Sequence, residues 1–208
     1  MNTEAFAKAW LSGKVCLHPT DTLPGLSFHP ERKSAEEDFM AIKERPDDKR
    51  PISLIADRAL TNRYWQTLPP LWDEALQKLW PSSLSVIWMA SDACPKSLVA
   101  IDGTTAFRLP QWTQDKLWMR DLLLKVNLPF PSSSVNRSGE TAEVSWAGAV
   151  AFCAHAPREV IVPEWSDQLS ASKSVPSTVI RLHEDGGFDV LREGAVLRST
   201  IHRVMSFV

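Results

Sequence analysis

Cysteine is scarce in this 208-residue chain. Cys16, Cys94 and Cys153 are odd in number and widely spaced, with no Cys-x-x-Cys pair. That spacing argues against a disulfide framework and against the common zinc patterns, and predicts buried thiols. The five histidines fall at no metal-ligand spacing and read as ordinary polar residues, so no protein-held metal is expected. No apolar run approaches the length that crosses a bilayer, and the acidic Glu4 sits where a basic-then-apolar leader would begin. The cytoplasm is the expected compartment, with no membrane partner. A formal charge of −2 gives no global pull toward nucleic acid, so a polyanion would have to meet a local basic patch. There is no Gly-x-x-x-x-Gly-Lys-Ser or Thr, which means that any nucleotide site here is not a P-loop.

What is present is an ordinary globular composition, 44% hydrophobic and 23% charged, long enough for one good-sized core. A single domain over residues 1–208 is expected. Nine tryptophans follow no fixed period and suit core packing better than base stacking. The patterning predicts helices over Thr3 to Leu11, from a capping box at Ser34-Ala35-Glu36-Glu37 to Lys43, over 57–79 with a break at Pro69-Pro70, over Gln114 to Val126 and over Val144 to Ala154. Strands are predicted at Val15 to Leu17, Ile52 to Ile55, Leu84 to Trp88, Thr104 to Leu109, Glu159 to Val162, Ser177 to Leu182 and Phe188 to Arg192. Alternation of the two types argues for an α/β layered domain with a mixed sheet covered by helices. Glu164 to Ser174 reads as a mobile loop.

Three stretches carry chemistry. His18-Pro19-Thr20-Asp21-Thr22-Leu23-Pro24-Gly25-Leu26 puts hydroxyls and a carboxylate where a strand must turn, and Gly25 there permits a conformation or a close approach that a Cβ would forbid. Lys43, Arg45, Lys49 and Arg50 supply four cations in one proline-bounded segment, the convergence that a triphosphate needs, although Glu44, Asp47 and Asp48 could equally neutralise them on a solvated face. Ser132 to Gly139 reads as a polar loop that either caps the next helix or wraps a phosphate. Arg108, on a strand between Phe107 and Leu109, needs an anionic partner, either a core carboxylate or a ligand carboxylate.

Taken in order, Pro19-Thr20-Asp21-Thr22-Leu23-Pro24-Gly25-Leu26, Lys43-x-Arg45-Pro46, Trp80-Pro81, Arg108-Leu109-Pro110, Ser134-Val135-Asn136-Arg137-Ser138-Gly139, Ser177-Thr178 and Leu191-Arg192-Glu193-Gly194 resemble the successive motifs of the YrdC-like L-threonylcarbamoyladenylate synthases, in register over residues 13 to 195. The resemblance implies a twisted mixed sheet flanked by helices, with a concave basic cavity. It implies a nucleotidyltransferase that joins L-threonine, bicarbonate and ATP into threonylcarbamoyl-AMP and pyrophosphate for tRNA threonylcarbamoyladenosine modification, with Mg²⁺ on the phosphates and a downstream threonylcarbamoyl transferase complex. By motif, Thr22, Arg108, Ser132 and Ser177 would hold threonine. Lys43, Arg45, Lys49, Thr104, Ser134, Asn136 and Arg192 would hold ATP, and Lys43, Arg45, Ser134 and Asn136 among them would act in the chemistry.

The chain departs from the family pattern at four places. Pro24 replaces an aromatic residue and alters one wall of the threonine pocket; Ser82-Ser83 replaces Gly-Pro; and Val135 replaces a small residue, which is expected to narrow the cavity. These departures motivate the alternative of an inactive paralogue that keeps the cavity to bind double-stranded RNA, tRNA or nucleotide.

Overall fold

The computed structural model describes residues 3–44, 50–114, 117–164 and 175–206. Arg45, Lys49 and the 165–174 part of the predicted mobile loop lie outside them. Helix α1 (Thr3–Leu11) buries Phe6, Ala7 and Trp10 and stops at Gly13, whose φ of +94° ends the helix where a side chain would be strained. It feeds β1 (Val15–His18), buried on both faces. A turn through residues 19–24 returns the chain as β2 (Gly25–Ser27), antiparallel to β1.

Helix α2 (Lys33–Lys43) starts two residues earlier than the predicted capping box requires. Arg32 takes the N-cap position and no side chain caps it, so Ser34 falls inside the first turn. Then come β3 (Ile52–Leu54), α3 (Ala59–Tyr64), α4 (Pro70–Leu79), β4 (Leu84–Met89), β5 (Thr104–Arg108), α5 (Leu117–Val126), β6 (Phe130–Ser134), α6 (Trp146–Ala154), β7 (Val160–Ile161), β8 (Thr178–Leu182), β9 (Phe188–Arg192) and α7 (Arg198–Met205). Ser145 caps α6 by accepting from the Gly148 amide at 3.0 Å. No helix among the described residues is long and apolar enough to cross a membrane.

Among the described residues the strands form one nine-stranded mixed sheet in the order β7-β1-β2-β6-β3-β5-β4-β8-β9. β1 with β7, β3 with β5 and β4 with β8 run parallel, and the other neighbours run antiparallel. Alternation along β1 sorts its side chains to two layers: Val15 and Leu17 pack with α2 and α6, while Cys16 packs with α1 and α5. A third cluster joins α3, α4 and Ile201 of α7 to β4 and β8. The mixed sheet with helices on its faces is the fold class expected from the alternation.

Trp10, Trp65, Trp72, Trp80 and Trp88 are all buried, in line with core packing. Trp10 stacks on Phe130 at 4.8 Å and gives its indole N–H to Ser27. The three thiols are free and buried, and burial pushes Cys94 up to about 11 and Cys153 up to about 12, so neither is a nucleophile at neutral pH.

Two elements differ from expectation in a way that matters for the site. Ser132 to Ser134 is strand, not loop: β6 sits mid-sheet, pairing Phe130, Pro131 and Ser132 with β3 and Ser133 and Ser134 with β2. A proline and three serines have poor strand propensity, and pairing on both sides overrides it. Pro131 is tolerated where β2 no longer pairs. Helix α7, absent from the sequence-based prediction, forms because Ile201 finds a buried place in the third cluster.

Candidate active site

The register places the site on a face of the sheet. Leu54, Arg108, Ser85, Val179 and Arg192 stand opposite one another in a row across β3, β5, β4, β8 and β9. A second row runs from His18 through Gly25 to Ser134 across β1, β2 and β6. A cavity of about 560 Å³ is lined by residues from both rows and by the segments around 20–24, 136–144 and 176–177.

Arg108 is 5% exposed at the end of β5. One Nη lies 3.1 Å from an Asp21 oxygen, and the other donates to Thr22 Oγ1 at 3.2 Å. Thr22 in turn meets Thr20, whose hydroxyl donates to the Leu23 carbonyl. The turn is thus held as an ordinary hydroxyl turn by Thr20 and aimed at Arg108 by Thr22. Asp21 also accepts from Ser83 Oγ at 2.8 Å. Of the two anionic partners open to Arg108, the core carboxylate is therefore present, yet among the described residues the buried Arg108 Nε has no hydrogen-bond partner.

Arg192, at the end of β9, donates to the Ser177 carbonyl and to Ser177 Oγ, each at 3.0 Å, and Ser177 Oγ lies 2.9 Å from Ser85 Oγ. Burial and the nearby charge of Arg108 both lower the Arg192 pKa. The guanidinium nevertheless stays protonated, so two like charges face one hollow. An anion between them would relieve that repulsion.

Lys43 ends α2 and is 2% exposed. Its Nζ donates to the Ser134 carbonyl and, at 3.0 Å, to Asn136 Oδ1, which also accepts from Ser134 Oγ at 2.7 Å. Asn136 Nδ2 is spent on the carbonyls of Arg137 and Glu140. The grouping of Lys43 with the serine-asparagine segment, more than ninety residues later in the chain, is a direct contact. Arg50 also lines the cavity while paired with Glu36 at 2.8 Å.

The structure brings Thr22, Lys43, Arg108, Ser132, Ser134, Asn136, Ser177 and Arg192 to this cavity. Thr104 does not reach it. It opens β5 opposite Met89, donates to Asp102 at 2.6 Å and lines a different cavity with Arg181. Four residue steps along β5, about 13 Å, separate it from Arg108. Val135 does not narrow the cavity either: one residue past the end of β6, it is fully buried in the core cluster with Leu17 and Ala149. Pro24 does line the cavity.

Sequence reasoning gave no role to His18 or Ser83. His18 is fully buried, with Nδ1 3.0 Å from the Pro19 carbonyl and Nε2 3.1 Å from Ser132 Oγ. The only signal available was its place inside the polar turn.

Burial, with a smaller push from Arg108, lowers the His18 pKa to about 4. The unfolded imidazole takes a proton near 6.5, so protonation favours unfolding, and stability present above pH 6.5 is lost as pH falls toward 4. That lowering corresponds to about 3 kcal/mol. Urea unfolding at pH 7.5 and pH 4 is expected to show that loss, and His18→Phe is expected to lose less over the same window.

No group of three or more His, Cys, Asp or Glu among the described residues is placed to hold a metal ion. The chain matches the Sua5/YciO/YrdC family profile, described as telomere recombination, over residues 8–194. The chain belongs to this family. Among its relatives is a threonylcarbamoyl-AMP synthase of Vibrio vulnificus, 30% identical over 143 residues that span 67% of this chain and 74% of the relative. The enzyme of the same name from Pseudoalteromonas atlantica is 28% identical over 147 residues, 68% of this chain and 75% of the relative.

Two solved members of the family share the fold. Escherichia coli YciO superposes with a TM-score of 0.80 at 20% identity, covering 96% of this chain and 92% of that one. Pyrococcus abyssi Sua5 complexed with L-threonine gives 0.82 at 22% identity, covering 97% of this chain. The match spans only 56% of the Sua5 chain.

Proposed function

We propose that this family member is an L-threonylcarbamoyladenylate synthase, a nucleotidyltransferase using L-threonine, bicarbonate and ATP. The observation that carries the reading is the convergence of two guanidiniums, the buried Arg108 and the more exposed Arg192, on the cavity that also holds the Lys43–Ser134–Asn136 network, with a buried Nε of Arg108 left unpaired among the described residues. Such a basic hollow suits a ligand with a carboxylate at one end and phosphates at the other. The names of the two bacterial relatives and the L-threonine in the P. abyssi structure support the same substrates.

In this reading Arg108 and Thr22 receive the threonine carboxylate, and Ser132 and Ser177 border its side chain and amine. Lys43 and Arg192 neutralise the triphosphate, Ser134 and Asn136 hold the Lys43 ammonium beside it, and Arg45 and Lys49 are assigned to it on the sequence motif. Bicarbonate takes up a proton and loses water to give carbon dioxide, and the threonine amine adds to that carbon and loses a proton, giving a carbamate. A carbamate oxygen then attacks the α-phosphorus, the bridging α–β P–O bond breaks, and pyrophosphate leaves with the electron pair. Positioning and charge neutralisation supply the acceleration, so no covalent nucleophile is needed. Asp21 is committed to Arg108 and Ser83, and Glu140 is the one carboxylate among the described residues lining the cavity, so that described lining does not fit a protein-held Mg²⁺. The ion would enter on ATP. The product would pass to a threonylcarbamoyl transferase acting on tRNA.

Purified protein with ATP, Mg²⁺, bicarbonate and L-threonine is expected to release pyrophosphate only when threonine is present, with threonylcarbamoyl-AMP visible by mass spectrometry. Lys43→Met is expected to lower the rate a hundredfold or more. No release beside an active control enzyme would overturn the assignment. Salt-sensitive binding of double-stranded RNA or tRNA without ATP binding would replace it with the inactive-paralogue reading.

A further inference from the structure

The pair of buried His18 and half-buried Ser132 is not needed by the chemistry above, and the fold makes room for it. His18 on β1 and Ser132 on β6 are separated by β2, so the imidazole must cross that strand to reach the serine. It crosses at Gly25, its direct partner in the sheet. A Cβ on Gly25 would lie 2.7 Å from Ser132 Oγ and 2.8 Å from His18 Nε2, inside contact distance of both. Gly25 is thus required for close approach, not for an unusual φ. Phe130 packs edge-on against the ring at 4.9 Å and holds it in place.

Hydrogen-bond chemistry then sets the direction of each proton. The Pro19 carbonyl can only accept, so Nδ1 carries the ring proton. In a neutral ring Nε2 is left as an acceptor, and Ser132 must donate to it. A hydroxyl has one proton, and once that is committed its lone pairs are what it can offer to the cavity it lines. The charged group acting on the ring, Arg108, disfavours a second proton there.

We propose that His18 is a positioning residue that fixes the Ser132 hydroxyl as an acceptor toward the cavity, making that corner a receiver for the amino group of the amino-acid substrate. The amine assignment rests on the function proposed above; the hydroxyl orientation does not. The complementary distribution is chemically coherent: Arg108 offers donors to a carboxylate, and Ser132 offers an acceptor to an amine.

Two measurements test this. Imidazole ¹⁵N–¹H spectra of the wild-type protein at pH 7.5 are expected to show His18 as the neutral Nδ1–H form, and Ser132→Ala is expected to shift its Nε2 resonance toward that of a free acceptor. An Nε2–H form, or an Nε2 resonance unmoved in Ser132→Ala, would overturn the orientation. By calorimetry, His18→Phe is expected to weaken L-threonine at least tenfold while ATP binding stays within twofold. His18→Gln, whose amide oxygen can accept from Ser132, is expected to stay within threefold of wild type for both. Unchanged L-threonine affinity in folded His18→Phe would overturn the positioning role. Failure of the wild type to bind L-threonine would overturn the amine assignment together with the proposed function, and the spectra would still decide the orientation.

Discussion

Arg108→Ala is expected to destabilise the protein by about 3–5 kcal/mol as well as abolish L-threonine binding, because it leaves Asp21 as a buried carboxylate without its cation. Both side chains of the pair are 6% exposed, so water cannot take over the lost interaction. The Ser83 hydrogen bond alone does not offset a buried charge. The double variant Arg108→Met with Asp21→Asn removes both charges and is expected to recover most of the stability while still failing to bind threonine. Urea denaturation and calorimetry on the three proteins check this. If Arg108→Ala is as stable as wild type, Asp21 is not held by Arg108 in solution. If the double variant binds threonine, Arg108 is not its carboxylate site.

Gly194→Ala is expected to have an effect of similar size through backbone geometry. A Cβ there would lie 2.2 Å from the Pro176 carbonyl oxygen and 2.7 Å from the Ser177 carbonyl carbon. Those are main-chain atoms at the entry to β8, so no rotamer change relieves the contact and the two segments must separate. The separation pulls on the Gly194 amide bond to Thr178 Oγ1 (2.9 Å) and on both bonds from Arg192 to Ser177. A loss of about 2–3 kcal/mol is expected, in the range of overpacked cores. ATP affinity is expected to fall at least tenfold, since Arg192 no longer keeps its place on the cavity. Thermal unfolding and ATP titration measure the two effects. An unperturbed Gly194→Ala would show that this segment gives way easily.

The last turn of the family-like motif Leu191-Arg192-Glu193-Gly194 thus combines two requirements, a cation for the cavity and a residue with no side chain beside it. The same economy appears at Gly25, where the missing side chain is what lets His18 reach Ser132. Neither requirement shows in hydrophobic periodicity, because both concern space used by residues far away in the chain.

Composition and patterning by themselves determined a layered α/β chain with buried thiols and tryptophans, the positions of most helices and strands, and the cations and hydroxyls from which a site would be made. They could do so because apolar periodicity, proline and glycine act over a few residues. Tertiary structure alone decided that Ser132 to Ser134 is a central strand, that Val135 faces the core, that Thr104 belongs to another cavity and that Asp21 is the carboxylate beside Arg108. Each of these depends on which strand lies next to which and in what register. A shift of one residue sends a side chain to the opposite face, and pairing across more than a hundred residues of chain leaves no local trace.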